Sequence, residues 1–308
     1  MSQSTVYVGV DVSKKTLDLS APGLRRSFSN TAKGHAQILR AVPKDSHIVL
    51  EASGGYEREL IKVLHQAKHK NTKVNPRHVR EFAKSMGQLA KTDKIDSSMI
   101  ARFAECKKPS PDQPPTGSQL RLAELVARRS QLIAVRTSEL NRLEHQEMPS
   151  VRKQTQKLVQ LLDKQIAELE KAASDEIQAE EILRAKSKRI CQVQGIAKVS
   201  AAAVLAFMPE LGTLSRTEAA ALLGVAPFVR ESGQYKGLRR IQGGRADLRS
   251  MLYMCALVAA RRNQVLKAFY KKLRAAGKPF KVAITAVMRK LIVLLNHLLA
   301  KPDFSLVP

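Results

Sequence analysis

Four acidic residues stand where carboxylates could share a metal ion. Asp11 and Glu51 each close a strongly apolar run, residues 6–10 and 47–50. Carboxylates at the ends of neighbouring strands can converge above a sheet edge. Asp93 and Asp96 are spaced i, i+3 at the start of a helical pattern, so both project from one face. A helix N-terminus also favours negative charge. Four oxygen ligands without Cys or His beside them suit Mg2+ or Mn2+ better than zinc. A pair of such ions about 4 Å apart activates an attacking oxygen and stabilises a leaving oxygen in phosphodiester chemistry. Each carboxylate also has a plainer role: Asp93 and Asp96 as helix caps, Asp11 and Glu51 as turn residues. Asp18, Asp45 and Asp112 are assigned to turns and surface.

A second candidate is Ser232, in Arg230-Glu231-Ser232-Gly233. A serine hydroxyl is a poor nucleophile until a base or a metal activates it. Lys236, Arg239, Arg240, Arg245 and Arg249 follow it, and such cations hold a phosphate and offset developing charge. The default reading of Ser-Gly in a basic loop is a turn serine. His65 and His69 are spaced i, i+4 but have no carboxylate beside them, so they read as a solvated helix face. Cys106, Cys191 and Cys255 are too scattered for a disulfide framework or a zinc knuckle.

Lys and Arg total 53 against 27 Asp and Glu, a formal charge of +26. Such an excess repels itself unless an anion is near, and a phosphate backbone is the usual one. A membrane surface is the rival anion. The longest apolar runs, 201–208 and 291–295, fall short of the roughly 20 residues a spanning helix needs. The first residues lack the pattern of a signal peptide. The expected location is cytoplasmic, on the bacterial nucleoid. Aromatic residues are 4% and Trp is absent, which weighs against base stacking as the main task.

The elements that must position these groups begin with a strand at 6–10 and short strands at 17–19 and 27–29, joined by a Pro22-Gly23 turn. A helix capped by Asn30 or Thr31, a strand at 47–50, a helix after Gly54-Gly55 and a strand at 72–74 follow. Hairpins followed by alternating helices and strands predict an α/β domain with a mixed sheet. Residues 107–117 hold four prolines and read as a linker. Helical patterns then run through 120–147 and 151–183, the second with an apolar stripe from Leu158 to Ile177 that predicts a helical hairpin or coiled coil. From about residue 187 the chain reads as nearly all helical, with a glycine turn at Gly195 and a capping box at Ser215 and Glu218. A polar, basic loop spans 227–244.

Several stretches, in order, resemble the DEDD transposases of the insertion-sequence one-ten family, which are related to the pilin-gene invertases. They are VGVDVSKKTLD, IVLEASGGY, the long segment ending KTDKIDSSMIARF, SELNR, ESG, GGRADLRSMLYM and VMRKL. The stretch Gln194-Gly195-Ile196-Ala197 departs from the family's Pro-Gly-Ile-Gly turn. The resemblance implies a RuvC-like domain of ribonuclease H type at 1–147, a coiled-coil segment at 148–186 and a helical transposase domain at 187–308. It implies metal ligation by Asp11, Glu51, Asp93 and Asp96, with Ser232 as nucleophile. It further implies a recombinase joined covalently to DNA through phosphoserine, directed to donor and target DNA by a structured noncoding RNA, and working as a dimer to tetramer. Lys91, Lys198, Lys236, Arg239, Arg240, Arg245 and Arg249 are the expected nucleic-acid contacts. The chain shows no nucleotide-binding P-loop, and a phosphoserine would conserve the bond energy that rejoining needs. The rival readings are a junction resolvase using the carboxylates alone, and a non-catalytic nucleic-acid-binding protein.

Overall fold

The structure, a computed structural model, describes residues 5–88, 93–228, 231–232, 235–237 and 239–304; the side chains of 93–95, 231–232 and 235–236 lie outside the description. Lys91 falls outside it altogether. Contacts divide the chain into two units, Met1–Pro114 and Pro115–Pro308.

The first unit is built on a five-stranded sheet, β1 (Tyr7–Val12), β2 (Thr16–Ala21), β3 (Leu24–Ser29), β4 (His47–Glu51) and β5 (Lys70–Val74), in the order β3-β2-β1-β4-β5. β1 runs antiparallel to β2 and parallel to β4, so the expected mixed sheet is found. The alternation along β1 decides its two faces. Val8, Val10 and Val12 pack with Ile38 of α1 (Ala32–Ala41) and with Leu60 and Leu64 of α2 (Arg58–Gln66). The other face takes Val49 and Val74 against Met99, Ile100 and Phe103 of α4 (Asp93–Lys107) and Val79 of α3 (Pro76–Ser85). Asn75 caps α3 with Pro76 in its first turn, which ends β5 where the sequence places the stop.

Two expectations need correction in this unit. Part of the proline-rich linker is docked on the edge strand: Asp112 N donates to Asn71 O, Lys73 N to an Asp112 carboxylate oxygen at 2.8 Å, and Thr72 Oγ1 to Ser110 O. An edge strand offers unpaired ladder groups, and this segment takes several of them. His69 does not share a helix face with His65. It lies beyond the end of α2, is buried, and follows Lys68 in a left-handed conformation.

The second unit begins with a helical hairpin of α5 (Gly117–Glu144) and α6 (Pro149–Ala179). Ion pairs Arg121–Glu176, Arg129–Glu170 and Arg136–Asp163 descend one helix as they climb the other, so the two run antiparallel. The second expected helix does not continue to Leu183: it stops at Ala179, Glu180 adopts an extended conformation, and α7 (Glu181–Ile190) starts afresh. Then come α8 (Lys198–Phe207), α9 (Arg216–Leu223), α10 (Ala246–Arg262), α11 (Gln264–Ala275) and α12 (Phe280–Ala300). Ser215 and Glu218 form the expected reciprocal cap of α9. α12 also corrects the sequence reading, since its 21 residues are long and apolar enough to cross a membrane. Its Ile284, Val287, Leu291, Ile292, Leu295 and Leu298 are instead buried in the core of the unit. Between α9 and α10 the expected loop carries a ribbon of very short strands, β6 (Pro227–Phe228) paired with β9 (Arg240–Ile241), and β7 (Glu231–Ser232) paired with β8 (Tyr235–Lys236).

Candidate active site

β1 and β4 are parallel neighbours with Val10 opposite Leu50. The next positions along the two strands are Asp11 and Glu51. Val10 and Leu50 face the α1–α2 core, so by alternation both carboxylates lie on the opposite face, the one α4 covers. Gly9 explains how α4 reaches this place. A Cβ there would stand 2.2 Å from Ser97 O and 2.4 Å from Ala101 N, so one turn of α4 lies directly on the β1 backbone. Asp96 immediately precedes that turn, and Asp93 begins the helix. The fold therefore sets the turn of α4 that follows Asp96 against the strand that carries Asp11.

Residues 17–19 lie in the expected strand, and Asp18, assigned to turns and surface, belongs to it. It sits inside β2, opposite Asp11 in the antiparallel register, and its neighbours Leu17 and Leu19 face the α1–α2 core. Alternation places it on the carboxylate face beside Asp11. The signal was present in the apolar-acidic-apolar run Leu17-Asp18-Leu19.

The sequence reading also missed Glu57, which organises the segment that follows Glu51. One of its carboxylate oxygens accepts from Ser53 N, Ser53 Oγ and Gly55 N at 3.2, 3.0 and 2.9 Å. The other is 3.7 Å from Lys73 Nζ. Burial would push its pKa up, but hydrogen bonds from its own backbone, from Gly55 and from Ser53 outweigh that and hold it below the ordinary carboxylate value. Glu57 is thus an ionised clamp on the 52–57 turn, adjacent in sequence to Glu51.

In the second unit, Ser232 pairs with Tyr235 at the last step of the β7–β8 ladder. The root of this ribbon is fixed. Arg245 N donates to Leu222 O, and an Arg249 guanidinium nitrogen donates to Gly243 O. Gly224 closes α9 at a φ of +80° and lies so near Gly243 and Gly244 that no side chain fits between them. Arg245 makes a forked pair with Glu210, Nη1 to Oε2 at 2.9 Å. Arg245 and Arg249 therefore have protein partners, while Arg240 and Lys198 are exposed. Gly195 packs on α10, where a Cβ would stand 2.9 Å from Cys255 O.

Among the described residues no group of three or more His, Cys, Asp or Glu side chains is drawn together closely enough to hold a metal ion. The fourth member of the expected set, Asp93, has its side chain outside the description. The backbone placement nevertheless suits a hard divalent cation. Two carboxylates occupy adjacent strand ends on one face, the Asp96 turn lies against the same strand, and every donor is oxygen.

Two family models match the chain. One, described as a transposase and representing the DEDD transposases of IS110, matches residues 8–146, the stretch that holds Asp11, Glu51, Asp93 and Asp96. The other, described as a transposase of the IS116/IS110/IS902 family, matches residues 187–271 and includes Ser232. The pilin gene-inverting proteins of Moraxella lacunata and Moraxella bovis are each 27% identical over 311 residues, covering 94% of this chain and 94% of theirs.

Proposed function

The chain belongs to the IS110 family of transposases and recombinases, and from that membership we propose that it cuts and rejoins DNA through a phosphoserine intermediate formed by Ser232. Enzymes of this family act on DNA, and the DEDD class depends on divalent metal. The observation that carries the reading is the pairing of Asp11 and Glu51 at adjacent strand ends, with α4 seated on Gly9 beside them. Asp11, Glu51, Asp93 and Asp96 would hold Mg2+ or Mn2+. When bound, such an ion supplies charge stabilisation at the oxygens gained and lost by phosphorus. Ser232 Oγ attacks the phosphodiester, its proton leaves to a base, and the 3′ or 5′ oxygen departs. Reversal with a new DNA hydroxyl rejoins the strand without an outside energy source. Lys236, Arg239, Arg240 and Lys198 offer cations for phosphate, as Lys91 does in the metal segment, and Arg245 and Arg249 add to the field while holding the ribbon.

Finer features belong to the same reading. A structured noncoding RNA of the element selects donor and target DNA, for which the charge of +26 offers ample capacity. The working divisions are 1–147, 148–186 and 187–308. The protein acts in the cytoplasm at the nucleoid as a dimer to tetramer. The outer face of the α5–α6 hairpin supports assembly, with Val135, Leu158 and Leu161 exposed.

The test is a trapped reaction on DNA bearing the sequences that flank the gene, searched by mass spectrometry for a protein–DNA adduct. An adduct on Ser232 is expected. Ser232→Ala should bind nucleic acid normally and fail to cut, while Ser250→Ala, inside α10, serves as control. Full cleavage by Ser232→Ala with free ends would establish the resolvase reading instead.

A further inference from the structure

The two loops that leave the carboxylate-bearing strands are tied to each other by one side chain. Asn30 follows β3 and is half-buried. Its Nδ2 donates to Ser13 O at 2.9 Å and to Tyr56 O at 3.1 Å. Ser13 lies two residues beyond Asp11, and Tyr56 five beyond Glu51. The Asn30 backbone N–H donates to Lys15 O at 2.8 Å, so the β1–β2 loop is held at two points.

The orientation of this amide is itself fixed. With both N–H groups of Nδ2 used on carbonyls, Oδ1 must accept, and His35 Nε2 lies 2.8 Å from it. That assigns the His35 tautomer with the proton on Nε2. His35 is buried in the first turn of α1. The chain of contacts therefore runs from a fixed histidine, through one amide, to both loops.

We infer that Asn30, locked by His35, is a positioning residue for the metal site: it sets the separation of Asp11 and Glu51 by clamping the loops that follow them. The inference rests on the reading of those two carboxylates as metal ligands. A cation held by ligands from separate strands binds only as tightly as their spacing is prearranged. Removal of outer partners that orient ligands typically costs about 10–100-fold in metal affinity or activity. The glutamate clamp at Glu57 fixes the 52–57 turn internally. Asn30 instead links that turn to the β1–β2 loop.

The test is direct Mn2+ binding to the full chain, followed by the paramagnetic signal of the free ion, for the native protein and for Asn30→Ala, Asn30→Asp and Asp11→Asn. Asn30→Asp keeps the size of the side chain but replaces its two N–H donors by a charged oxygen facing two carbonyls. It breaks the same two bonds while leaving an acceptor for His35, and it gives a second reading of the clamp beside the alanine variant. Asn30→Ala and Asn30→Asp should weaken Mn2+ binding by about 10–100-fold. In strand cleavage, excess Mn2+ should restore most of the rate. A residue with a merely structural role would lower the amount of active protein and leave its metal dependence unchanged. Asp11→Asn should abolish the binding. Native-like Mn2+ affinity in both Asn30 variants, with binding lost in Asp11→Asn, overturns the inference and leaves the carboxylate reading standing. Native-like affinity in Asp11→Asn overturns both.

Discussion

Replacing Gly9 by alanine tests the packing on which the acidic site depends. The added Cβ would lie 2.2 Å from Ser97 O, 2.4 Å from Ala101 N and 3.1 Å from Ala101 Cα. Ordinary contacts of this kind are about 3.3–4.0 Å. The obstructing atoms belong to the backbone of one helical turn, so no rotamer change relieves them. α4 must lift by about 1 Å to restore an ordinary distance. Overpacking of this kind costs about 1–3 kcal/mol. Asp96 immediately precedes the displaced turn in the same helix, and a misplacement of about 1 Å near reacting groups can cost about 100-fold in rate. Gly9→Ala should therefore remain folded, unfold at lower urea, and recombine about 100-fold more slowly. Gly117→Ala is the control, because its Cβ would meet only a side-chain atom, the far end of Arg121 at 3.2 Å, in the first turn of α5. It should be neutral or stabilising by about 0.5–1 kcal/mol. Native stability together with a native rate in Gly9→Ala would refute the placement of α4 on β1.

Other perturbations address the remaining parts. Asp11→Ala, Glu51→Ala, Asp93→Ala and Asp96→Ala should each abolish strand exchange without unfolding the chain; exchange by any of them in excess chelator would contradict the metal reading. Nucleic-acid affinity should fall steeply between low and moderate salt, as counterion release by several phosphate contacts requires, and a flat salt profile would argue against it. Burial, the leading cause in each case, depresses the pKa values of His35, His47, His65 and His69, with Lys70 adding at His47 and Lys44 at His69, while Glu59 and Asp112 oppose it at His35 and His65. The unfolded chain then binds more protons just below the ordinary histidine value of about 6.5. Stability of the first unit should be full above that pH and decline as pH falls below it. Glu57 adds a further loss at lower pH, as the medium passes through its depressed folded value. A urea midpoint unchanged between pH 7 and pH 5 would remove this account. Joint Leu158→Glu and Leu161→Glu substitution should lower the solution mass by light scattering if the exposed hairpin face joins subunits.

The mixed sheet was legible chiefly from its central strands β1 and β4, short apolar runs that end at Asp11 and Glu51. Asp11 and Glu51 could be nominated for the same reason. Their adjacency could not, since the register of β1 with β4 is set by long-range pairing that no local pattern encodes. Asp18 was not counted with the carboxylates because it was assigned to turns and surface, although it lies in the strand read at 17–19, where alternation sets it opposite its two leucines. The sequence offers Asn30 or Thr31 as the cap of α1; Thr31 takes that role, and Asn30 spends its side chain on two distant loops. Glu57 and Gly9 act through contacts that exist only in the folded chain. α12 escaped the search for long apolar segments because Arg289, Lys290 and Asn296 interrupt its run, while its apolar face remains continuous around the helix.

Ser232 shows the opposite limit. Strands of two residues have no periodicity to detect, and a Ser-Gly step is common in turns, so only the resemblance singled it out. What the structure adds is the anchoring of its ribbon. Gly224 leaves no room for a side chain against Gly243 and Gly244, Arg249 holds Gly243 O, and Arg245 is paired with Glu210. These contacts lie entirely in the second unit, whereas the carboxylates and the Asn30 clamp lie entirely in the first. The two halves of the proposed chemistry can therefore be disabled separately. Ser232→Ala should leave Mn2+ affinity untouched, because the expected ligands Asp11, Glu51, Asp93 and Asp96 all belong to the first unit. Gly224→Ala should do the same while slowing strand cleavage, since the contacts it disturbs, with Gly243 and Arg249, are those of the ribbon's root. A weakened Mn2+ affinity in Gly224→Ala would mean that the two sites are assembled together rather than folded apart.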